Sequence, residues 1–312
     1  MTRIPLICRS ATTFGVSGAF DRDAFGAHLQ RLVDCGHGVY LASGASGEGH
    51  ALTVEEIKDV YQVGVAVCQG KVPVHANPPE QYTARDTIFH AQLAIAAGVD
   101  GINLYGPEGR HGYRPTDEEY RAYFDRIFAE VSHQAALAPH PAMGYLPKPR
   151  TVAQVVASHH EITAVNLAGV EGSAYFVELC DALTRDVDIY VPYQGSAHTL
   201  RMGATGLLAA EANIIPQSFR DYLDACQRQD VSAMSEIYAG LVRFTAFVGQ
   251  WNSASPRWLK IALRAFRLPG AAGGLREPYL MPGPEVVDEF ARGAAALGLP
   301  EVDAMLHQVA AA

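Results

Sequence analysis

The sequence lacks several features that would assign a function at once. It has only five cysteines, which lie far apart and form no CxxC pair: Cys8, Cys35, Cys68, Cys180 and Cys226. This spacing is typical of reduced thiols rather than of a disulfide framework. No apolar run approaches the roughly 20 residues that cross a bilayer, and the first residues lack the apolar length of a signal peptide. We therefore expect a cytoplasmic protein with no membrane partner.

Basic residues are also scarce. The formal net charge is −9 and the isoelectric point is near 5.7, so the chain offers no basic surface for nucleic acid. Only four lysines occur, and they are Lys58, Lys71, Lys148 and Lys260. What is present is typical of a folded globular protein: 312 residues, of which 49% are hydrophobic and 18% charged.

Short apolar segments alternate with amphipathic ones from the start of the chain to about residue 230. The predicted strands are 5–10, 38–43, 72–77, 101–106, 140–145, 162–167, 187–192 and 205–210. Capping boxes begin two of the intervening helices, at Thr53 with Glu56 and at Thr116 with Glu119. Eight strand–helix units predict a closed (β/α)8 barrel, and no GxGxxG follows the first strand to favour an open dinucleotide-binding sheet.

The strand pattern stops after residue 230. Three helical segments follow, "VSAMSEIYAGLVRFTAFVGQW", "PRWLKIALRAFRL" and "PEVVDEFARGAAALGL", joined by Gly- and Pro-rich sequence. The sequence therefore predicts a catalytic barrel at 1–230 and a C-terminal three-helix extension at 231–312.

Two predicted loops carry residues suited to chemistry. Active sites of such barrels lie at the carboxyl ends of the strands. "SGASGE" (43–48) is rich in small residues whose N–H groups could bind a carboxylate or phosphate, although an ordinary tight turn would look the same. "GYLPKPRT" (144–151) places Tyr145 five residues before Arg150, a phenol able to relay a proton and a guanidinium able to clamp a carboxylate.

Four segments, in order along the chain, resemble the dihydrodipicolinate synthase / N-acetylneuraminate lyase family. They are "HLQRLVDCGHGVYLASGASGEGHALTVEEI", "GYLPKPRT", "GATGLLAAEANIIP" and "SPRWLKIALRAFRLPG". The resemblance implies a (β/α)8 class I aldolase in which a lysine on strand 6 forms a Schiff base with a 2-oxo acid. It also implies a homotetramer built from dimers, or at least a homodimer.

The resemblance implies roles for individual residues. Tyr145 matches the proton-relay tyrosine, Arg150 the substrate arginine, and Gly44, Ala45 and Ser46 the substrate loop. Ala45 departs from the family pattern because a threonine hydroxyl is missing there. The loop after strand 4 departs as well, and Tyr113 is the nearest candidate for the tyrosine that a neighbouring subunit usually lends.

The strand-6 segment is the largest departure. "AVNLAGV" matches the lysine segment, and Asn166 stands where the Schiff-base lysine is expected. No lysine lies between Lys148 and Lys260. A relocated imine former at Lys148, in the loop after strand 5, is therefore one alternative.

Other residues could stabilise negative charge without an imine. Asn166 could donate an amide hydrogen bond to an oxyanion. Glu211, in the apolar "LLAAEANII", could serve as a second acid or base with a raised pKa, or could be held by an arginine or the backbone. His75, with His111 and Glu211, could in principle ligate a metal, but no HxH or HExxH spacing supports this, and we expect no metal and no cofactor.

These features predict a lyase that performs aldol or retro-aldol cleavage, or hydration or dehydration, on a small oxo acid or carboxylate. The favoured mechanism uses no Schiff base on strand 6. A Schiff-base aldolase using Lys148 is one alternative, and a non-catalytic barrel that binds a small molecule is another.

Overall fold

The computed structural model describes residues 4–170, 173–252 and 255–311. Eight strands follow one another around a closed barrel in sequence order, and the pairings within it are parallel. They are β1 (Leu6–Arg9), β2 (Gly38–Leu41), β3 (Val74–Ala76), β4 (Gly101–Tyr105), β5 (Ala135–Ala138), β6 (Ile162–Asn166), β7 (Asp188–Pro192) and β8 (Gly206–Leu208). The predicted (β/α)8 barrel is confirmed.

Twelve α-helices occur in the described residues. They are α1 (Arg22–Asp34), α2 (Val54–Cys68), α3 (Ala84–Ala97), α4 (Asp117–Phe128), α5 (Pro149–Ser158), α6 (Ala174–Ala182), α7 (Ser196–Thr199), α8 (Pro216–Arg228), α9 (Val231–Gly249), α10 (Arg257–Ala265), α11 (Pro284–Ala295) and α12 (Pro300–Ala311). Both predicted capping boxes are present, at the starts of α2 and α4. In each, the threonine oxygen accepts the glutamate N–H and the glutamate carboxylate accepts the threonine N–H.

The prediction for the fifth strand was wrong. The segment 140–145 holds a short 3-10 helix (Pro141–Met143), and β5 lies earlier, at "AALA". Alanine has low strand propensity, so this short buried run gives no strand signal in the sequence. Tyr145 consequently lies in the βα loop, seven residues beyond β5, rather than at a strand end.

The predicted C-terminal helices are present, but the described residues contain one more than the three expected. Within the described residues, four helices follow residue 230, the last being α12. Gly298, with φ +62°, ends the preceding turn, and Pro300 begins α12 at a position where its missing N–H costs no hydrogen bond. Only Val302 and Met305 of α12 are buried apolar side chains, so its periodicity is too weak to mark a separate helix.

One helix in the described part of the chain, α9, is long and apolar enough to cross a membrane by length and composition alone. This is weak evidence, because helices that pack in a protein core pass the same test. Leu241, Phe244 and Val248 form its buried face, and it packs against α8 and α11.

The chain divides into two compact units. The first contains residues 8–73 and 210 onward, and the second contains residues 4–7 and 74–209. The first holds β2, α1, α2 and α8–α12, with α1 packed on α2 and α8 packed on α9. The second holds β3 to β8, whose buried residues are mostly Val, Ile, Leu and Ala. The proposed boundary at residue 230 stays a prediction.

Candidate active site

Three asparagines of the second unit form a row of carboxamides, which we call the amide ladder: Asn77, Asn103 and Asn166. Asn77 directly follows β3, Asn103 is the middle residue of β4, and Asn166 is the last residue of β6. The Nδ2 group of Asn166 donates to Oδ1 of Asn103 at 2.5 Å, and Nδ2 of Asn103 donates to Oδ1 of Asn77 at 2.7 Å. All three are buried, at 1–3% exposure.

The small residues of β5 explain how the amide ladder crosses from β4 to β6. β5 lies between β4 and β6, and its Ala136 is paired with Asn103 on one side and with Ala164 on the other. A larger side chain at this level would occupy the space through which two carboxamides meet. The alanine-rich strand that sequence reasoning missed is therefore what brings Asn166 to Asn103.

The Asn77 end of the amide ladder carries an unused donor. The buried Nδ2 of Asn77 has no hydrogen-bond partner among the described residues, while its Oδ1 also receives the Tyr105 hydroxyl at 3.5 Å. A buried N–H group without a partner costs about 1–3 kcal/mol. An oxygen of a bound molecule that accepted this hydrogen would remove the cost, which suits the amide ladder to a carbonyl or carboxylate ligand.

Tyr145, the predicted proton relay, lies in the loop after β5. Its hydroxyl donates to the carbonyl oxygen of Pro107 at 2.9 Å, and its ring meets Tyr120 edge-on. A Cβ at Gly106 would lie 2.6 Å from the Tyr145 hydroxyl, so only glycine leaves room for it. Burial raises the pKa of Tyr145 above its usual value near 10, so the phenol is neutral at physiological pH. Tyr145 is thus a neutral hydrogen-bond donor in this loop.

Three further predicted residues of the second unit are exposed. Arg150 is the second residue of α5 and forms no hydrogen bond or ion pair with another described residue. Lys148 is 74% exposed and pairs with Asp117 at 2.8 Å. Tyr113 is 45% exposed. Lys148 and Asp117 line an open pocket of about 710 Å³ together with Tyr145. An exposed, paired Lys148 lacks the desolvation that activates a Schiff-base lysine.

The predicted substrate loop lies in the first unit, directly after β2. It starts after Ala42 and ends at Glu48, and both residues are left-handed, with φ +56° and +51°. Gly44 is half-buried, Ala45 is exposed and Ser46 is buried. The backbone N–H groups of Ala45 and Ser46 donate no hydrogen bond within the described residues. They therefore remain available to an anion.

Glu48 and Lys260 form a buried ion pair under this loop. The Lys260 Nζ lies 2.9 Å from Oε1 of Glu48, and the two side chains are 2% and 0% exposed. Sequence reasoning assigned Lys260 only to a C-terminal helix. The sequence signal that could have found it is a lysine within the apolar run "WLKIAL", because a lysine is almost never fully buried unless it is paired. All of these residues are buried in α10.

Two other predicted site residues are Glu211, in the first unit, and His75, in the second. Glu211 begins a short 3-10 helix (Glu211–Asn213) and accepts a hydrogen bond from the Thr245 hydroxyl at 3.0 Å. His75 does not end β3 but pairs with Gly101, the first residue of β4, and burial lowers its pKa to about 4. Among the described residues, no three His, Cys, Asp or Glu side chains lie close enough to hold a metal ion.

Comparison with known proteins gives one consistent result. The model of the dihydrodipicolinate synthetase family matches residues 5–292. The 4-hydroxy-tetrahydrodipicolinate synthase of Xanthomonas axonopodis pv. citri is 28% identical over 281 residues, covering 88% of each chain. That of Methanococcus aeolicus is 24% identical over 267 residues, covering 84% of this chain and 88% of the relative.

A solved structure shares the fold. It is a prophage protein of the dihydrodipicolinic acid synthase family from E. coli K12, in complex with pyruvate. It superimposes with a TM-score of 0.83 at 20% identity and covers 95% of this chain and 99% of its own.

Proposed function

The chain belongs to the dihydrodipicolinate synthetase family, and from this we propose that it is a lyase that cleaves or forms a bond in a small 2-oxo acid without an imine on β6. The observation that carries the proposal is the amide ladder: Asn166, at the position expected for the family's lysine, is a buried amide bonded to Asn103. A neutral amide cannot form a Schiff base, but it can donate hydrogen bonds to a carbonyl oxygen.

The proposed reaction is an aldol cleavage and its reverse. A base removes the proton of the substrate hydroxyl, and the hydroxyl oxygen forms a carbonyl as the carbon–carbon bond breaks, so this half of the substrate leaves as an aldehyde. The electron pair of the broken bond moves into an enolate whose oxygen carries the charge. An N–H donor of the amide ladder stabilises that oxygen in a site shielded from water. The enolate carbon then takes a proton, and a 2-oxo acid is released. Dehydration next to the same carbonyl would use an enolate of the intact substrate, formed by loss of a C–H proton beside the carbonyl and followed by loss of hydroxide, and hydration is the reverse of these steps.

We assign the proton delivery to Tyr145. Its hydroxyl, which donates to the carbonyl oxygen of Pro107, is protonated at neutral pH, and the enolate carbon is a stronger base than the phenolate that the transfer leaves. A general acid contributes about 10²- to 10⁴-fold to a rate. Arg150 is proposed to bind the substrate carboxylate, since its exposed guanidinium has no partner among the described residues. The N–H groups of Ala45 and Ser46 are proposed separately, as a carboxylate-binding site of the first unit.

The test is a screen of 4-hydroxy-2-oxo acids, with release of pyruvate or another 2-oxo acid followed in a coupled reductase assay. We expect Asn77→Ala, which removes the unused buried N–H donor, to lower kcat by about 10²- to 10³-fold, as the loss of one oxyanion donor does, with KM little changed. Tyr113→Phe is the control, because it removes an exposed hydroxyl that the mechanism does not use. Full activity of Asn77→Ala would contradict the mechanism, and 2-oxo acid binding without turnover would favour a binding protein.

The proposed oligomer is a homotetramer or homodimer. Light scattering after size-exclusion chromatography tests it, with a monomer mass of 33.5 kDa as the contrary result.

A further inference from the structure

Lys260 differs from the other lysines of the chain. Lys58, Lys71 and Lys148 are exposed, whereas Lys260 is 2% exposed and reaches from α10 to the segment after β1. Its Nζ donates to the carbonyl oxygen of Thr12, forms an ion pair with Oε1 of Glu48 at 2.9 Å, and lies 4.4 Å from the centre of the Phe14 ring. These contacts satisfy the ammonium group, so it is a fixed cation rather than a free nucleophile.

Glu48 is held on both of its oxygens. Oε1 faces Lys260, and Oε2 accepts the backbone N–H of Arg276 at 2.9 Å. The Arg276 guanidinium in turn donates to Glu56, near the start of α2, and to the carbonyl oxygen of Ala51. The segment that leaves the substrate loop is therefore tied at Glu48, at residue 51 and at Glu56 by groups from the C-terminal part of the chain.

The shape that these contacts hold is an unusual one. Ala42 and Glu48, on either side of the loop, are both left-handed, a conformation that non-glycine residues adopt only at an energetic cost. Gly49 approaches so closely that a Cβ there would lie 2.0 Å from the carbonyl oxygen of Ala42. The Thr12 hydroxyl also donates to the carbonyl oxygen of Gly47 at 2.7 Å, so Lys260 and the loop share Thr12 as a partner.

We propose that Lys260 is a positioning residue that, through Glu48, holds residues 43–48 in the shape in which their N–H groups bind a carboxylate. A buried ion pair is often no more stabilising than an apolar pair of the same size. Its role here is therefore to fix the position of the Glu48 carboxylate rather than to add stability. The ammonium group fixes the carboxylate at one point, and the carboxylate fixes the left-handed end of the loop. The ligand assigned to the loop rests on the proposed function, but the hold on the loop does not.

Two measurements on Lys260→Met test this inference, with Lys58→Met as the matched control in the same unit. Hydrogen exchange followed by mass spectrometry should show faster exchange in peptides covering residues 42–52, by about tenfold or more, while peptides from β4 and β6 stay unchanged. Calorimetric titration with pyruvate should show a dissociation constant raised by about tenfold or more. Lys260→Arg, which keeps the charge, should recover part of both effects. A purely structural role would lower the melting temperature without a change confined to this loop.

A second variant covers the case in which Lys260→Met fails to fold. Glu48→Gln/Lys260→Met removes both charges, so no buried charge is left without a partner, and the loop should still exchange faster than in the wild type. The proposal would be overturned if residues 42–52 exchanged no faster than in Lys58→Met. This comparison uses Lys260→Met or Glu48→Gln/Lys260→Met, whichever folds. If the wild type binds no pyruvate, the proposed function loses its ligand, whereas the exchange experiment still decides the role of Lys260.

Discussion

Replacing the central residue of the amide ladder should destabilise the protein more than replacing an end. Asn103→Leu keeps the number and branching of the side-chain heavy atoms and removes both hydrogen bonds, which leaves Nδ2 of Asn166 and Oδ1 of Asn77 each without this partner. Losing a hydrogen bond at a buried group costs about 1–3 kcal/mol. Burying leucine in place of an amide returns about 1–2 kcal/mol. For two lost hydrogen bonds we therefore expect a net loss of about 0–5 kcal/mol.

Asn166→Leu breaks the bond to Asn103 and leaves the bond between Asn103 and Asn77 in place, so the same arithmetic gives a change between a gain of about 1 kcal/mol and a loss of about 2 kcal/mol. Urea denaturation followed by circular dichroism measures both variants, and an unchanged m-value confirms that the comparison concerns stability alone. The triple variant Asn77→Leu/Asn103→Leu/Asn166→Leu is the control. It orphans no carboxamide of the ladder and should be more stable than Asn103→Leu. Equal stability of Asn103→Leu and Asn166→Leu, or a triple variant weaker than both, would refute the account of the amide ladder.

Two further predictions concern the first unit. Gly49→Ala places a Cβ against the backbone of Ala42 and should cost about 1–3 kcal/mol of stability. The control is Gly249→Ala, where a Cβ meets nothing within 4 Å and the stability should not change. Equal melting temperatures of the two variants would contradict the close packing at Gly49. Burial, with the nearby Arg31 charge, lowers the pKa of His28 from 6.5 to about 3. The unfolded chain therefore binds the extra proton between those pH values, and the free energy of unfolding should fall as pH drops below 6.5, by about 1.4 kcal/mol per unit for this residue. His28→Gln should show a correspondingly shallower fall, and an unchanged slope in urea titrations at pH 7 to 4.5 would count against it.

The barrel could be predicted from sequence because its signals are local. Alternating apolar segments and two capping boxes mark most elements, and each box forms as expected. β5 could not be predicted, since its residues are three alanines and a leucine. Its identity as a strand depends on the pairings with β4 and β6, which local propensity does not record.

The candidate site was predictable in part for a similar reason. Asn166 could be named from the sequence because it stands where the family's lysine is expected, and the structure gives this buried amide a hydrogen-bond partner. That partner, Asn103, lies 63 residues away in the sequence, and nothing in the sequence around Asn103 predicts the contact. Lys260 is 212 residues from Glu48, so only the folded chain reveals that this lysine belongs with the loop after β2.

The absence of an imine is the central claim, and borohydride trapping tests it most directly. The protein is incubated with pyruvate, and with the 2-oxo acid product of any active substrate, reduced with sodium borohydride, and digested for mass spectrometry. The account predicts saturable binding of the 2-oxo acid with no reduced adduct on Lys58, Lys71, Lys148 or Lys260. An adduct on Lys148 or Lys260 that forms at stoichiometric yield and abolishes activity would contradict it.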